Sequence, residues 1–443
     1  MRVTDCDILI IGGGPAGATA AALLALRGHH VTVLDKAGDD RHERGELLAP
    51  SIHPLLGQLG VAGAVHDMAL AAGVIEFCTP VRRTQVSAVQ GPQPGLLVER
   101  RQFDDVLLRN AQDKGAAVIG RCRVTHLQFK PNGGGATVFA RQADGEPASW
   151  NARFVLDASG RDCVLGSQLK SRKRRAGKAD TALTALFCPP PGQPPKAEPH
   201  AGVFWFEHGW LWAHSLADGR IHVGAVLSPA FQQTRSVPLD EFLLATIQLC
   251  APLQAWLGDA ALAAAVYGSE CAVQFCGIDH GECYLLLGDA HAAIHPVFAA
   301  GVTLAMHGAA AAADVADRCL RRPAEAAGAR QHFTQQARAR LGSYLWFSQR
   351  MDDPASHPLW KTIPQALGMR QAFVGLLAGA LPSDPASEPS SAAHGGAMFV
   401  TLRGWYHAAA IGMLLGRVLR VAGAVVTGRT RRAGARQPDV LKP

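Results

Sequence analysis

The chain has 443 residues, of which 48% are hydrophobic, 6% aromatic and 18% charged, and its formal net charge is +7. This length allows two or three domains with a sizeable core, and the composition excludes a disordered or fibrous protein. The basic excess lies mostly in Lys170–Arg175 and around Arg429–Arg436, without interleaved aromatic side chains, so we expect no nucleic-acid binding.

The ten cysteines form neither a Cys-x-x-Cys pair nor a His/Cys cluster at zinc spacing. We therefore predict no metal site and expect reduced cysteines in a cytoplasmic protein. The chain passes at once into an apolar strand pattern without a preceding basic segment, which predicts no signal peptide. Arg417 and Arg420 interrupt the apolar stretch 404–428, so we expect a docked helix without membrane contact; a helix at a membrane interface is the alternative.

The segment Cys6–Lys36 predicts a strand, a glycine-rich turn, a helix and a second strand. Its GxGxxG motif allows a tight turn, close approach of the backbone to a pyrophosphate, and packing of the helix on the strand. Amides at the helix start would hold phosphates, and the acidic residue after the second strand would accept hydrogen bonds from a ribose. The residues predicted to bind this ADP-containing cofactor are Gly12, Gly14, Pro15, Ala16, Gly17, Asp35 and Lys36.

Three further segments follow: VERRQFD at 98–104, FVLDASG at 154–160 and GDAHAAIHPVFAAGVTLAMHG at 288–308. The first places an arginine within reach of the cofactor, and the second is a short strand that ends in small residues. The third is a strand end, a loop and the start of a helix. With the GxGxxG unit, their order resembles the FAD-dependent monooxygenases of the p-hydroxybenzoate hydroxylase fold, which include the flavin-dependent halogenases.

The resemblance implies an α/β protein with a Rossmann-type FAD-binding domain, an inserted antiparallel-sheet substrate domain and a helical C-terminal region. It assigns residues 1–73, 98–180 and 276–330 to the FAD-binding domain, 74–97 and 181–275 to the substrate domain, and 331–443 to the C-terminal region with a linker at 382–397.

The resemblance also implies which residues of these segments contact FAD. Asp289 would bind its ribitol or ribose part, and the loop 296–301 would lie along the isoalloxazine ring. The helix that begins near Gly301 would stabilise the negative charge of the reduced flavin. The implied FAD-binding residues are Arg44, Arg100, Asp289, Pro296, Ala300, Gly301 and Val302.

Two segments resemble the halogenases in particular. RGELLAP at 44–50 is similar to their Gly-Glu-Ser-Leu-Leu-Pro segment, and GWLWAHS at 209–215 is similar to their Trp-x-Trp-x-Ile-Pro motif. Trp210 and Trp212 match that motif and are the predicted substrate-pocket residues, with packing of a wall as the alternative. His214 and Ser215 stand where the motif has Ile-Pro.

Two other features depart from the halogenase pattern. Halogenases of this fold need a lysine before the VERRQFD segment to meet the hypohalous acid, and this chain has no lysine between Lys36 and Lys114. His295-Pro296 stands where halogenases usually carry Asp-Pro, and His-Pro at this place is typical of ring hydroxylases and squalene-type epoxidases. Both departures count against halogenation.

Three polar residues are candidates for catalysis, each with a purely structural role as the alternative. His295 beside the flavin would tune its oxygen chemistry or relay a proton. Glu46 would act as a base or an anchor near the isoalloxazine. His214 would face the substrate pocket.

We therefore predict an FAD-dependent monooxygenase that hydroxylates an electron-rich phenol or indole ring through a flavin C4a-hydroperoxide formed with O₂. NAD(P)H that binds directly, or a separate flavin reductase, would supply the electrons. The substrate is a small aromatic molecule or a ring on an acidic carrier protein or peptide, such as a protein tryptophan in tryptophylquinone cofactor biogenesis. The alternatives are a flavin-dependent halogenase, an FAD-dependent lipid double-bond reductase and a non-enzymatic FAD-binding scaffold.

Overall fold

The computed structural model describes residues 3–37, 43–80, 82–87, 89–90, 93–174, 180–192, 198–348, 350, 403–404, 407–408 and 411. The predicted linker 382–397 and most of the predicted C-terminal region lie outside these residues.

The helices are α1 (Pro15–Leu26), α2 (His53–Leu59), α3 (Ala62–Met68), α4 (Arg100–Asp113), α5 (Val164–Gln168), α6 (Pro229–Gln232), α7 (Leu239–Gln248), α8 (Ala251–Leu257), α9 (Gly288–His291), α10 (Gly301–Arg321) and α11 (Ala326–Ser348). The strands are β1 (Val3–Ile11), β2 (Val31–Leu34), β3 (Gly45–Leu48), β4 (Leu70–Ala72), β5 (Val74–Thr79), β6 (Arg82–Ser87), β7 (Val89–Gln90), β8 (Gln93–Glu99), β9 (Ala117–Ile119), β10 (Arg123–Phe129), β11 (Ala136–Arg141), β12 (Pro147–Asp157), β13 (Arg172–Arg174), β14 (Thr181–Cys188), β15 (Ala201–Phe206), β16 (Gly209–Ser215), β17 (Ile221–Leu227), β18 (Ala261–Leu262), β19 (Tyr267–Glu270), β20 (Gln274–Cys276), β21 (His280–Gly281), β22 (Tyr284–Leu286) and β23 (Ala292–Ala293).

The first large sheet has the strand order β10-β11-β12-β1-β2-β9, with β22 paired to β12. Strands β9, β2, β1, β12 and β22 run parallel, and β10 and β11 add an antiparallel edge. Helix α1 connects β1 to β2, and its fully buried Ala18, Ala21 and Ala22 allow close packing against α10, which contributes Ala309 and Ala312. This arrangement confirms the predicted Rossmann-type architecture.

The second large sheet has the order β18-β14-β17-β16-β15-β5-β6 and is antiparallel except for the β15–β5 pair. Alternate side chains of each strand lie on opposite faces. Leu211 and Ala213 pack in the cluster that α7 and α8 cover, whereas Trp210 lies in the cluster with Val297 and Leu304 of the first unit. The sheet is therefore covered on both faces, and one face closes over the FAD-binding unit.

Three features of the described residues bear on the predicted boundaries. Strand β8 pairs with β3 and β4 rather than with the second large sheet, although most of it falls in the predicted substrate segment 74–97. Helix α11 runs continuously across position 331, where the C-terminal region was expected to begin. Among the described residues, no helix combines the length and apolar character needed to cross a membrane.

Candidate active site

A cleft of about 780 Å³ lies between the two large sheets. Its lining includes the ends of β1 and β2, the start of α1, the loop before α10 and one face of β16 and β17. Every predicted site residue except Gly17 lines this cleft. The volume lies in the range of ligand pockets, so the fold brings these residues together around a space that a large cofactor and a small substrate fit.

The glycine-rich turn fits a pyrophosphate. Gly12 has a φ of +101°, and a Cβ there would lie 2.5 Å from the carbonyl oxygen of Ala158. A Cβ on Gly17 would lie 1.9 Å from the carbonyl oxygen of Gly12, which explains its packing role outside the cleft. A Cβ on Gly14 would meet no atom within 4 Å, and α1 begins after it without a side-chain cap. The amides of the first turn and the positive end of the helix therefore face the cleft.

Asp35 and Lys36 lie beside this turn. The Asp35 side chain is buried, and a Cβ on Gly13 would lie 3.1 Å from its Oδ2. Lys36 forms an ion pair with Asp162 at 2.5 Å. The acidic residue is thus placed next to the glycine turn, as a ribose-binding role requires.

Arg100 is the centre of a buried ionic network. Its guanidinium contacts Glu46 at 2.9 Å and Asp104 at 3.1 Å, and its side chain is 10% exposed. Burial by itself lowers the pKa of Arg100, but the two carboxylates outweigh burial and raise it. Glu46 is therefore paired with a side chain that stays positively charged. This pairing fits the predicted role of Glu46 as an anchor better than its predicted role as a base.

Arg44 and Asp289 extend this charged region along the cleft. The positive charge of Arg100 lowers the pKa of Arg44, and burial acts in the same direction. Asp289 lies 3.7 Å from Arg161, and desolvation raises the pKa of its carboxyl despite three nearby arginines. Arg161 and Asp104 were not among the predicted residues. Arg161 directly follows the FVLDASG segment, and Asp104 ends the VERRQFD segment, in which only Arg100 was assigned to the cofactor.

His295 is buried and is fixed by its own loop and by the end of α11. Its amide donates to Ser348 Oγ at 2.9 Å, and its Nδ1 accepts from the amide of Val297 at 3.3 Å. An accepting Nδ1 assigns the proton of the neutral ring to Nε2. These two hydrogen bonds give His295 a structural role. Any proton relay through its ring would use Nε2.

An aromatic wall covers one side of the cleft. Trp210, Trp212 and His214 alternate along β16 and share one face, with ring centroids of Trp210 and Trp212 5.3 Å apart and Trp210 5.8 Å from His295. The neighbouring strand β17 adds His222 to the same face. The sequence analysis missed His222, although the alternation of RIHVGAV against GWLWAHS could have indicated it.

The described residues contain no group of three or more His, Cys, Asp or Glu side chains that could hold a metal ion. The uncapped start of α1, the glycine turn, Asp35 and the uncapped start of α10 at Gly301 together match the parts of an FAD molecule, with Arg44 suited to its phosphates. The site therefore fits FAD as its cofactor.

Comparison with known proteins agrees with this geometry. Residues 5–207 match the family described as FAD binding domain. The chain is 29% identical to the tryptophan 2-halogenase of Chondromyces crocatus, over 79% of this chain and 71% of the relative. It is 31% identical to the flavin-dependent halogenase armH4 of Armillaria mellea, over 69% of this chain, and spans only 64% of that relative's length.

Solved structures share the fold. A flavoprotein/dehydrogenase from Cytophaga hutchinsonii superposes with a TM-score of 0.79 at 20% identity, over 92% of this chain and 100% of the other. The flavin-dependent brominase Bmp2 gives a TM-score of 0.73 at 17% identity, over 91% and 99%. The peptidyl tryptophan dihydroxylase QhpG gives 0.60 at 24% identity, over 81% and 78%.

The chain is therefore an FAD-binding flavoenzyme, an oxidoreductase of the p-hydroxybenzoate hydroxylase fold. Within that class its sequence is similar to the two flavin-dependent halogenases named above, at 29% and 31% identity. The predicted fold, FAD as the cofactor and the class of flavin-dependent oxidoreductases are confirmed. Hydroxylation is not confirmed, and the named relatives favour the halogenase alternative.

Proposed function

We propose that this protein is an FAD- and O₂-dependent monooxygenase that hydroxylates an electron-rich phenol or indole ring in the cleft beside His295. We favour hydroxylation over halogenation because of which lysines line the cleft. Among the described lining residues the only lysine is Lys36, which lies beside the glycine turn and is paired with Asp162. No lysine is available where the halogenases of this fold need one.

Bound reduced FAD supplies two electrons, O₂ supplies the oxygen atom added to the ring, and the second oxygen atom leaves as water. The chain's own residues bind and orient. The first turn of α1 and Arg44 hold phosphates, and the network of Arg100, Glu46 and Asp104 keeps the cleft wall rigid. Trp210 and Trp212 exclude water from one side and offer flat surfaces for a ring. Nε2 of His295, which carries the ring proton, is the candidate proton donor.

Halogenation is the second candidate, and the comparisons support it better than hydroxylation. Both sequence relatives reported above are named halogenases, and one of the structural neighbours is named a brominase. If the chain halogenates, a group other than lysine must position the hypohalous acid. Three histidines line the cleft, His214, His222 and His295, and their ring nitrogens are the candidates.

We propose that the substrate ring is presented on a carrier protein or peptide. The neighbour QhpG is named for a peptidyl tryptophan substrate. Part of the basic patch at Lys170–Arg175 is engaged within the protein, since Arg174 lies 3.3 Å from Glu270 and Arg172 hydrogen-bonds Gln274. The remaining charge of the patch would attract an acidic partner. A flavin reductase or directly bound NAD(P)H is the electron source.

One experiment separates the two candidates. FAD-loaded protein is supplied with NADH and a separate flavin reductase under heavy-isotope O₂, with indole, 4-methylphenol or a tryptophan-containing peptide, in the absence and presence of chloride or bromide. Hydroxylation predicts one heavy oxygen atom in the product with or without halide. Products that carry halogen, and none that carry heavy oxygen, would replace hydroxylation by the second candidate.

Two matched variants test the role of His295. In His295→Asn the amide oxygen can still accept from the amide of Val297, but no imidazole remains, so FAD binding should persist while product formation falls about a hundredfold. His126→Asn, at an exposed position on β10, should leave both properties unchanged. Full activity of His295→Asn would leave His295 with its structural role alone.

A further inference from the structure

Arg172, in the basic segment Lys170–Arg175, is bound to residues of two other segments of the chain. From β13 its Nε and Nη2 donate to Oε1 of Gln274 on β20, at 3.1 and 2.6 Å. Its Nη2 also donates to the carbonyl oxygen of Arg161 at 2.9 Å. These contacts use the guanidinium within the protein, so the basic segment has a role besides that of attracting a partner.

Gln274 connects this arginine to the cofactor side of the cleft. The residue is only 2% exposed. Because its Oε1 accepts from Arg172, its Nε2 is free to donate. Nε2 donates to the carbonyl oxygen of Asp289 at 3.2 Å and, less closely, to that of Arg161 at 3.4 Å. Arg172 therefore fixes the orientation of an amide that in turn holds the backbone of Asp289.

Arg161 contacts the side chain of the same aspartate. Its Nη1 donates to the carbonyl oxygens of Glu270 and Ala272, at 3.2 and 3.1 Å. Its Nε lies 3.7 Å from Oδ2 of Asp289, and both residues line the cleft. The two carbonyl oxygens keep the guanidinium beside the carboxylate. Asp289 is thus held at its backbone by Gln274 and paired at its side chain with Arg161.

The carboxyl group of Asp289 depends on such a neighbour to stay ionised. Burial has the largest effect on its pKa and raises it, whereas three nearby arginines lower it, Arg161 most strongly. The charged groups that act on this carboxyl are Arg161, Arg100, Arg44 and Glu46, and the last of them raises its pKa. Loss of the Arg161 charge would therefore favour the protonated, neutral form of Asp289.

We propose that Arg161, Gln274 and Arg172 form a positioning network that keeps Asp289 ionised and in place for FAD. A carboxylate accepts hydrogen bonds from hydroxyl groups, such as those of the cofactor, more strongly than a neutral carboxyl group does. The inference rests on the assignment of Asp289 to FAD, and it is independent of whether the bound cofactor serves hydroxylation or halogenation. It gives one arginine of the basic segment a role in the cofactor site.

The test measures the dissociation constant of FAD by flavin fluorescence at pH 8 and at about pH 5.5. Arg161→Gln keeps a donor for the carbonyl oxygens but carries no charge. At pH 8 its dissociation constant should exceed that of the unchanged protein by no more than about threefold. By about pH 5.5 this ratio should grow about threefold further, because Asp289 without the arginine takes up a proton at a higher pH.

Two further variants separate the charge of Arg161 from its packing. Arg161→Lys keeps the charge and should show the pH dependence of the unchanged protein. Asp289→Asn removes the titrating group, so adding Arg161→Gln to it should introduce no further dependence on pH. Thermal melting with FAD in excess establishes that each variant is folded. If Arg161→Gln does not fold, Arg161→Met takes its place in the same comparison.

Arg174 provides the matched control for Arg172. It lies on the same strand, but it pairs with Glu270 at 3.3 Å. Arg172→Met should weaken FAD binding about threefold, because Gln274 loses the hydrogen bonds that orient its amide. Arg174→Met removes the same formal charge and should bind FAD as the unchanged protein does. If Arg172→Met does not fold, Arg172→Lys, which keeps one donor group, should give a smaller loss in the same direction.

Three outcomes would overturn the inference. A ratio for Arg161→Gln that stays constant with pH would leave Arg161 with packing alone. Equal losses in Arg172→Met and Arg174→Met would assign the effect to net charge and not to the network. Unchanged FAD binding by Asp289→Asn would remove Asp289 from the cofactor site. Every readout is FAD binding without turnover, so these failures would leave the proposed function standing, and the lack of a hydroxylated product would leave this inference standing.

Discussion

Replacing His214 with asparagine should make the protein less sensitive to mild acid. The folded protein holds His214 neutral because burial lowers its pKa from 6.5 to about 4. The unfolded chain has no such burial and takes up a proton near its ordinary pKa. Between pH 6.5 and about pH 4 the unfolded chain therefore carries a proton on His214 that the folded protein does not. The free energy of unfolding consequently decreases as the pH falls through this window.

The magnitude follows from those two pKa values. Linkage predicts that this one histidine lowers the free energy of unfolding by roughly 2 kcal/mol between pH 7 and pH 5. Below about pH 4 both states carry the proton and the loss stops growing. Asparagine does not titrate, so His214→Asn should show a pH-dependent loss smaller by that amount.

The assay is urea unfolding of the FAD-loaded protein at pH 7 and pH 5, followed by tryptophan fluorescence with FAD in excess. The relevant quantity is the change with pH, compared between the unchanged protein and His214→Asn, because groups away from His214 titrate equally in both. The neighbour His222 stays neutral in the variant, since burial is the largest cause of its lowered pKa. His126→Asn at an exposed position serves as the control and should keep the full loss. If the change with pH agrees within about 0.5 kcal/mol between the unchanged protein and His214→Asn, the burial argument for His214 is refuted.

Three further predictions concern the cofactor side of the cleft. Gly17→Ala should sharply weaken FAD binding in a fluorescence titration, because its Cβ would lie 1.9 Å from a backbone oxygen of the glycine turn. Arg100→Leu should lower the free energy of urea unfolding by about 3–5 kcal/mol, because Asp104 and a second carboxylate would lose their buried cation. Treatment with diamide should join Cys163 to Cys276, whose buried Sγ atoms lie 3.1 Å apart, and so remove two of the ten thiols counted after denaturation.

Each of these predictions has a control and a contradicting result. Gly63→Ala, where a Cβ would meet no atom within 4 Å, should bind FAD normally; equal binding by Gly17→Ala would contradict the packing argument. Arg101→Leu, at the exposed neighbouring position, should change the free energy of unfolding little. An equally small change in Arg100→Leu would show that the ion pairs of Arg100 do not stabilise the fold. Cys163→Ser should abolish the diamide effect, and thiol loss that continues in this variant would assign the reaction to other cysteines.

The sequence by itself determined the cofactor and the architecture around it. The strand, glycine turn, helix and second strand of Cys6–Lys36 are adjacent in the chain, so their local conformations alone create the pyrophosphate site. A Cβ at Gly12 or Gly17 would collide with backbone, and this constraint is visible as a motif. The order of the later motifs likewise indicated the fold, because each lies at a strand end or a helix start.

Only the tertiary structure decided how the polar residues are paired. Glu46 and Arg100 are 54 positions apart, and their contact follows from the pairing of β3 with β8, which no local pattern reports. His222 carries no motif, and its relation to His214 depends on the register of β16 against β17. Charge states follow from such contacts and from burial, and both are properties of the packed structure. The sequence therefore predicts that FAD binds, whereas the packing decides which side chains remain available to the substrate.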